Sequence, residues 1–254
     1  MHVVTVSSQK GGTGKTTTAV TLAHALAIKG YRTLIVDLDP QGQVASSLGR
    51  NHEPGVFNWL ALPTGVLPLS DVVRTTGRAG LLMIPGDKST SVAQVLLNHY
   101  GKTLKALSGK RPELQAATFD FAIVDTAPSV GGLQEAALLA SDLVIVPTAC
   151  DYLSTEGVVR TYETLKLLRD EHAWHGRVLG ILPTFFDDVT KESAATLADL
   201  RETFGAKTLL RPIHRATTLR ECASEGMTIW EKDPSHRAAR EYADLVGRIE
   251  NDTA

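Results

Sequence analysis

The sequence predicts an α/β fold, a mostly parallel twisted sheet with helices on both faces. Three observations point there. Short apolar, β-branched runs alternate with stretches of helical periodicity along the 254 residues. A glycine-rich turn joins the first such run, Val3-Val4-Thr5-Val6, to the first helical stretch. Two later apolar runs end in carboxylates, at Asp37 and Asp125. With no linker, repeat or low-complexity segment in view, the expectation is one domain over residues 1–254.

Taken in order, residues 17–29 place Ala19, Leu22, Ala23, Leu26 and Ala27 at helical spacing, and Gly30 is the expected C-cap. Thr33-Leu34-Ile35-Val36 is a short buried strand running into Asp37-Leu38-Asp39-Pro40-Gln41-Gly42. Residues 43–80 are less regular, with short helices expected at 57–60 and 69–73 and with Pro54, Pro63 and Pro68 as punctuation. A strand is expected at 81–84, then helices at 91–99, 102–107 and 112–117. The run 119–125 is a strand, Gly131 and Gly132 follow, and a helix covers 133–140. Strands at 143–147 and 178–182 flank a helix at 155–169 whose apolar stripe is Val158, Val159, Tyr162, Leu165 and Leu168. A helix at 191–204, a short strand at 208–210, a loop at 211–214 and helices at 218–225 and 235–249 complete the chain.

The turn after the first strand reads Ser7-Ser8-Gln9-Lys10-Gly11-Gly12-Thr13-Gly14-Lys15-Thr16-Thr17. Strand, glycine-rich turn and helix in that order are the context of a phosphate-binding loop. Gly11, Gly12 and Gly14 permit positive φ and close approach of an anion. The loop N–H groups and the positive end of the following helix would then face a phosphate. Lys15 would reach β- and γ-phosphates, and the Thr16 hydroxyl would bind Mg²⁺. The pattern G-x-x-x-x-G-K-[ST] is met in variant form, since its first glycine falls at Gln9 and a second lysine, Lys10, opens the loop. Alternation sends Asp37 and Asp39 to one side, at the sheet edge that carries the loop. An apolar strand ending in Asp125 is the pattern of a carboxylate that holds Mg²⁺ through water.

Composition narrows the functional classes. A formal charge of −2 means that any nucleic-acid contact comes from a local patch. Cys150 and Cys222 stand far apart in no metal-like spacing, which argues against disulfides, zinc or an iron–sulfur cluster. No uninterrupted apolar run spans a bilayer, and no basic-then-apolar leader precedes Val3. A cytoplasmic protein is expected.

Three ordered motifs, Lys10 to Thr17, Asp37 to Gly42, and Asp125-Thr126-Ala127-Pro128-Ser129, resemble the deviant Walker A ATPases of the ParA/MinD superfamily, and the Asp-Pro-Gln-Gly run is most similar to Soj-type ParA partition ATPases. The resemblance extends through Pro147-Thr148, Glu156-Gly157, Pro183 to Asp187 and Pro212 to Arg215. It implies a P-loop NTPase-like fold, ATP and Mg²⁺ as cofactors, and an ATP-dependent homodimer with two nucleotides sandwiched between protomers. It implies that Lys15 is the loop lysine and that Lys10 is the signature lysine reaching the partner protomer's ATP. It places Asp39 as the carboxylate orienting the attacking water and, with Thr16, beside the Mg²⁺, Asp125 as the water-mediated Mg²⁺ carboxylate, and Thr184, Pro212, Ile213 and His214 at adenine. Asp37 competes with Asp39 for the catalytic role, and its position nearer the loop also suits support of Mg²⁺ water or of Lys15.

The implied activity is partition of a chromosome or plasmid, with non-specific DNA binding by the dimer, a nucleoid-associated location and a ParB-like centromere-binding partner. Positioning of another cargo and MinD-like division-site regulation are the alternatives. The stretch 201–220 carries Arg201, Lys207, Arg211, Arg215 and Arg220 against Glu202, so Arg201, Arg211, Arg215 and Arg220 are the DNA candidates, with Lys191, Arg237 and Arg240 behind them. The chain opens directly on the first strand, which makes an operator-reading helix-turn-helix unexpected. The last helix lacks a basic amphipathic tail, which makes membrane targeting unexpected.

Overall fold

Strand formation follows the apolar runs closely. In the computed structural model, which describes residues 1–62, 65–129, 132–151 and 154–253, seven strands form one sheet. They are β1 (His2–Val6), β2 (Thr33–Asp37), β3 (Arg74–Arg78), β4 (Leu81–Ile84), β5 (Phe121–Asp125), β6 (Leu143–Ala149) and β7 (Arg177–Thr184). Their order across the sheet is β3-β4-β2-β5-β1-β6-β7, parallel throughout except for β3 against β4. Pro63, read above as punctuation, and Gly131 lie outside the described residues.

Alternation divides the core into two layers. On one face Val4, Val6, Ile35, Phe121, Ile123, Leu143 and Ile145 pack against Leu22 and Leu26 of the helix Lys15–Ile28 and against Tyr242, Leu245, Val246 and Ile249 of the helix Arg237–Thr253. On the other face Leu34, Val36, Ala122 and Val124 pack against Trp59, Leu97, Leu133 and Ala137, while Val144 and Val146 meet Val158, Leu165 and Leu168. Burial of both sheet faces is what parallel pairing through helical crossovers demands. The helix Lys15–Ile28 lies between the sheet and the last helix and is buried on nearly every side, from Lys15 through Ala27. Its sequence stripe therefore understated its burial.

Three other expectations change. Residues 102–107 form turns followed by a 3-10 turn at Ser108–Lys110, and Gly101 at φ 63° ends the preceding helix. The expected strand at 208–210 is a 3-10 turn, Ala206–Thr208, with a single bridge from Leu209 to Ile181. Gly205 at φ 82° sets the chain's entry there, and Pro212 has no N–H with which to extend a ladder. β3, Arg-Thr-Thr-Gly-Arg, is an edge strand with no apolar alternation to announce it. Short helices at Gln43–Ser47 and Ile229–Lys232 were likewise not anticipated.

Register sets up the site. Val6 and Asp37 each pair with Asp125, so the end of β1, the end of β2 and the end of β5 share one edge. That edge is the carboxyl end of the sheet, where the strand order reverses around β1 and where α/β proteins hold ligands.

Candidate nucleotide-binding site

The loop leaves β1 with Ser7 N–H donating to Ile145 O at 3.0 Å. Gly14 takes φ 78° and is the N-cap of the following helix, a left-handed conformation that glycine adopts without strain. A Cβ there would sit 3.5 Å from the Phe185 ring, so conformation rather than space selects glycine. Lys15 folds back over the loop, and its Nζ donates to the Lys10 carbonyl at 3.0 Å. Burial draws its pKa down from the ordinary lysine value, while the Asp125 and Asp39 charges oppose that shift. A partly desolvated ammonium beside a helix N-terminus is an anion site whose attraction water screens little.

Facing it are three carboxylates. Asp37 is fully buried, with Oδ1 accepting from Asp39 N–H at 3.0 Å and Oδ2 from Val44 N–H at 3.1 Å. Burial, reinforced by neighbouring Asp125, holds its pKa well above the usual carboxylate range. Asp125 is also fully buried, and burial pushes it up to about 7 against the opposing hydrogen bond from the Thr16 hydroxyl, 2.6 Å from its Oδ2. Asp125 Oδ1 is buried with no hydrogen-bond partner among the described residues. Asp39 lines a 330 Å³ cavity with Gly12 to Thr17, Gln41, Gln43, Pro128 and Phe185, and its Oδ1 accepts from Gln41 N–H at 2.9 Å. An orphaned carboxylate oxygen, a hydroxyl and further carboxylates form an all-oxygen donor set, and Mg²⁺ fits it.

Desolvation of Asp125 gives a measurable consequence. Its folded pKa near 7 lies above the unfolded value, so the folded state binds the extra proton and this group's stabilising contribution is lost as pH rises from about 4 to about 7. In metal-free buffer Asp125→Asn is therefore expected to melt slightly above wild type at pH 5 and by a clearly larger margin at pH 8. An equal difference at both pH values, read by differential scanning calorimetry, would contradict this.

A second cavity of about 350 Å³ continues past Gly14, Thr17 and Phe185. Thr184, Ile213 and His214 line it, with Arg215, Leu219, Arg220 and Tyr242. Thr184 also ties the two loops together, its hydroxyl donating to Thr13 O at 3.0 Å. Pro212 is half-buried beside this wall and does not line it. Sequence reasoning missed Phe185, Leu219 and Tyr242. Phe185, at φ 53°, lay within the run Pro183 to Asp187 without a role of its own, and Tyr242 read only as part of a helical pattern.

Lys10 Nζ pairs with Asp151 Oδ1 at 2.5 Å, and both side chains are substantially exposed. The loop start rests on the helix Ser154–His172, where a Cβ at Gly157 would stand 3.0 Å from Lys10 Cβ. Screened pairs of this kind contribute about 0–1 kcal/mol. The four arginines named for DNA do not form one group. Arg215 and Arg220 line the second cavity, Arg211 pairs with Asp244, and Arg201 is exposed on the helix Lys191–Phe204.

Comparison with known proteins agrees with this geometry. A family model described as AAA domain matches residues 1–175. The chromosome-partitioning ATPase Soj of Thermus thermophilus is 35% identical over 246 residues, 97% of this chain and 94% of that one. Apo McdA from Cyanothece superposes with a TM-score of 0.88 over 98% of this chain and 99% of that one at 24% identity, a likeness of fold. Cobyrinic acid a,c-diamide synthase from Mycobacterium smegmatis, solved with an ATP analogue and magnesium, gives 0.84 at 28% identity over 97% of this chain and 93% of that one.

Proposed function

This chain belongs to the AAA-domain family as a Soj/ParA-type member of the ParA/MinD superfamily, and we propose that it is a Mg²⁺-dependent ATPase that dimerises on ATP and binds DNA as the dimer to drive chromosome or plasmid partition. The observation that carries the ATPase reading is the meeting of Lys15, Thr16, Asp39 and Asp125 at one sheet edge, beside a cavity large enough for a nucleoside. Phosphoryl transfer is mostly positioning and charge stabilisation, and these groups supply both. Thr16 and, through water, Asp125 would hold Mg²⁺, which neutralises charge on the β- and γ-phosphates. Lys15 would exchange its bond to the Lys10 carbonyl for phosphate oxygens. Asp39 would orient the attacking water. Thr184, Ile213 and His214 would border the base.

Lys10 completes the reading. Its Asp151 pair is weak and exposed, so the same side chain can swing to the phosphates bound by a partner protomer, as an arginine finger does. Hydrolysis then requires a dimer, and ATP becomes a switch between a DNA-bound and a released state. A ParB-like partner would stimulate hydrolysis, and the protein would reside on the nucleoid in the cytoplasm. Among the described residues no helix is long and apolar enough to cross a membrane.

An electrophoretic mobility shift with non-specific duplex DNA tests the switch. Retardation is expected with Mg²⁺ and ATP, none with ADP, and loss of the shift between low and moderate salt because phosphate contacts release counterions. Equal binding with ADP and ATP would remove the switch. Retention on anionic vesicles with ATP, without any DNA shift, would move the protein to the membrane-bound alternative.

A further inference from the structure

The second cavity is walled by the segment 213–216, and that segment is pinned by a buried carboxylate. Glu241, on the helix Arg237–Thr253, is 2% exposed. Its Oε2 accepts the His214 backbone N–H at 2.9 Å, and its Oε1 accepts His214 Nδ1 at 2.6 Å and Arg237 Nε at 2.9 Å. Both His214 donors thus converge on one acceptor that water does not reach. On its far side the ring meets Asp188 Oδ1 at 3.1 Å and Arg237 Nη2 at 2.6 Å through Nε2, and it packs edge-on to Phe186 at 5.0 Å between centroids. Backbone bonds then carry this placement into the wall. Ile213 N–H donates to Pro183 O at 2.9 Å, and Arg215 N–H to Phe186 O at 2.9 Å, on the two sides of Thr184 and Phe185.

We propose that Glu241 is a positioning residue for the nucleotide: by holding both His214 donors it fixes the wall formed by Ile213, His214 and Arg215, and so sets nucleotide affinity without touching the ligand. The assignment rests on the nucleotide reading of this cavity. Charge matters here because a carboxylate accepting several converging donors in a dry environment holds them far more firmly than a neutral acceptor does. Next to it, Tyr242 faces the cavity and its OH meets Thr18 Oγ1 at 3.1 Å. The helix that carries Glu241 therefore supplies both a wall and the clamp on the opposite wall.

The test replaces Glu241 by an unbranched apolar side chain of similar length, Glu241→Met, in the full chain. Removing one partner of a buried ionic cluster leaves its donors unpaired, so the variant is expected to melt several degrees below wild type while remaining folded at room temperature. Its affinity for ATP and for ADP, by fluorescent-nucleotide titration, is expected to weaken about tenfold. Amide exchange at residues 213–215 is expected to accelerate in the nucleotide-free protein, while the strands of the sheet keep their protection. A role in general stability alone would move all the amides together. If Glu241→Met does not fold, Glu241→Gln carries the same measurements, because one amide oxygen cannot serve three donors. Unchanged affinity, or unchanged exchange at 213–215, overturns the proposal. Wild-type protein that binds no ATP overturns the nucleotide reading instead, and the exchange result still decides whether Glu241 holds the loop.

Discussion

Lys15→Ala is expected to bind ATP at least about 100-fold more weakly than wild type, a loss of about 3 kcal/mol. The size follows from where the ammonium sits. It is buried under the loop with one hydrogen bond, to the Lys10 carbonyl, and it lies against the helix N-terminus rather than in bulk water. A cation whose pKa burial already lowers gains more from an anion than an exposed lysine does, because the phosphate restores the solvation it has lost. Alanine leaves the Asp37, Asp39 and Asp125 carboxylates facing the nucleotide without that counter-charge, which adds repulsion to the lost attraction. The nucleotide-free variant should melt near wild type, since the residue that leaves is a desolvated charge. Isothermal titration calorimetry reads the affinity, and binding within threefold of wild type would remove Lys15 from the site.

The pieces of this site differ in how far the sequence betrays them. The loop, Asp37 and Asp125 are legible because strand and turn physics is local: apolar runs of four or five residues must end where polar groups begin, and parallel register then brings those ends together. The sheet is legible for the same reason, except at β3, where an exposed edge strand carries no apolar face. Its pairing with β4 is bought by the hairpin connection rather than by side chains. The base-side cavity is less legible, since its walls come from the phosphate loop, the end of β7, the 213–216 segment, the helix Thr217–Glu225 and the last helix, far apart in the chain. Nothing periodic marks Tyr242 as a wall or Glu241 as a clamp, because a helix shows its burial pattern and not its partner. The DNA candidates cluster in sequence, yet the structure sets Arg215 and Arg220 on the second cavity and Arg211 against Asp244.

Asp39→Ala is expected to bind ATP normally and to hydrolyse it at least about 100-fold more slowly than wild type, the scale of a positioned proton acceptor. Its carboxylate lines the phosphate-side cavity with one oxygen tied to Gln41 N–H, which fixes its direction without consuming its charge. Asp37 is the competing candidate, and its hydrogen bonding differs from that of Asp39. Both Asp37 oxygens already accept backbone N–H groups, and burial favours its neutral form, so it shapes the turn at 37–44 rather than presenting a free lone pair to water. If hydrolysis is what ends the dimer, removing Asp39 should leave an ATP-bound dimer that persists on size-exclusion chromatography, where wild type returns to monomer as ATP is consumed. Lys10→Ala serves as the opposite arm of that experiment: it should bind ATP in its own site, because Lys15 and the loop amides remain, and yet stay monomeric. An Asp39→Ala protein with wild-type single-turnover rates would assign the water to another group. A Lys10→Ala protein that still dimerises on ATP would show that the exposed Lys10–Asp151 pair has no role across the interface.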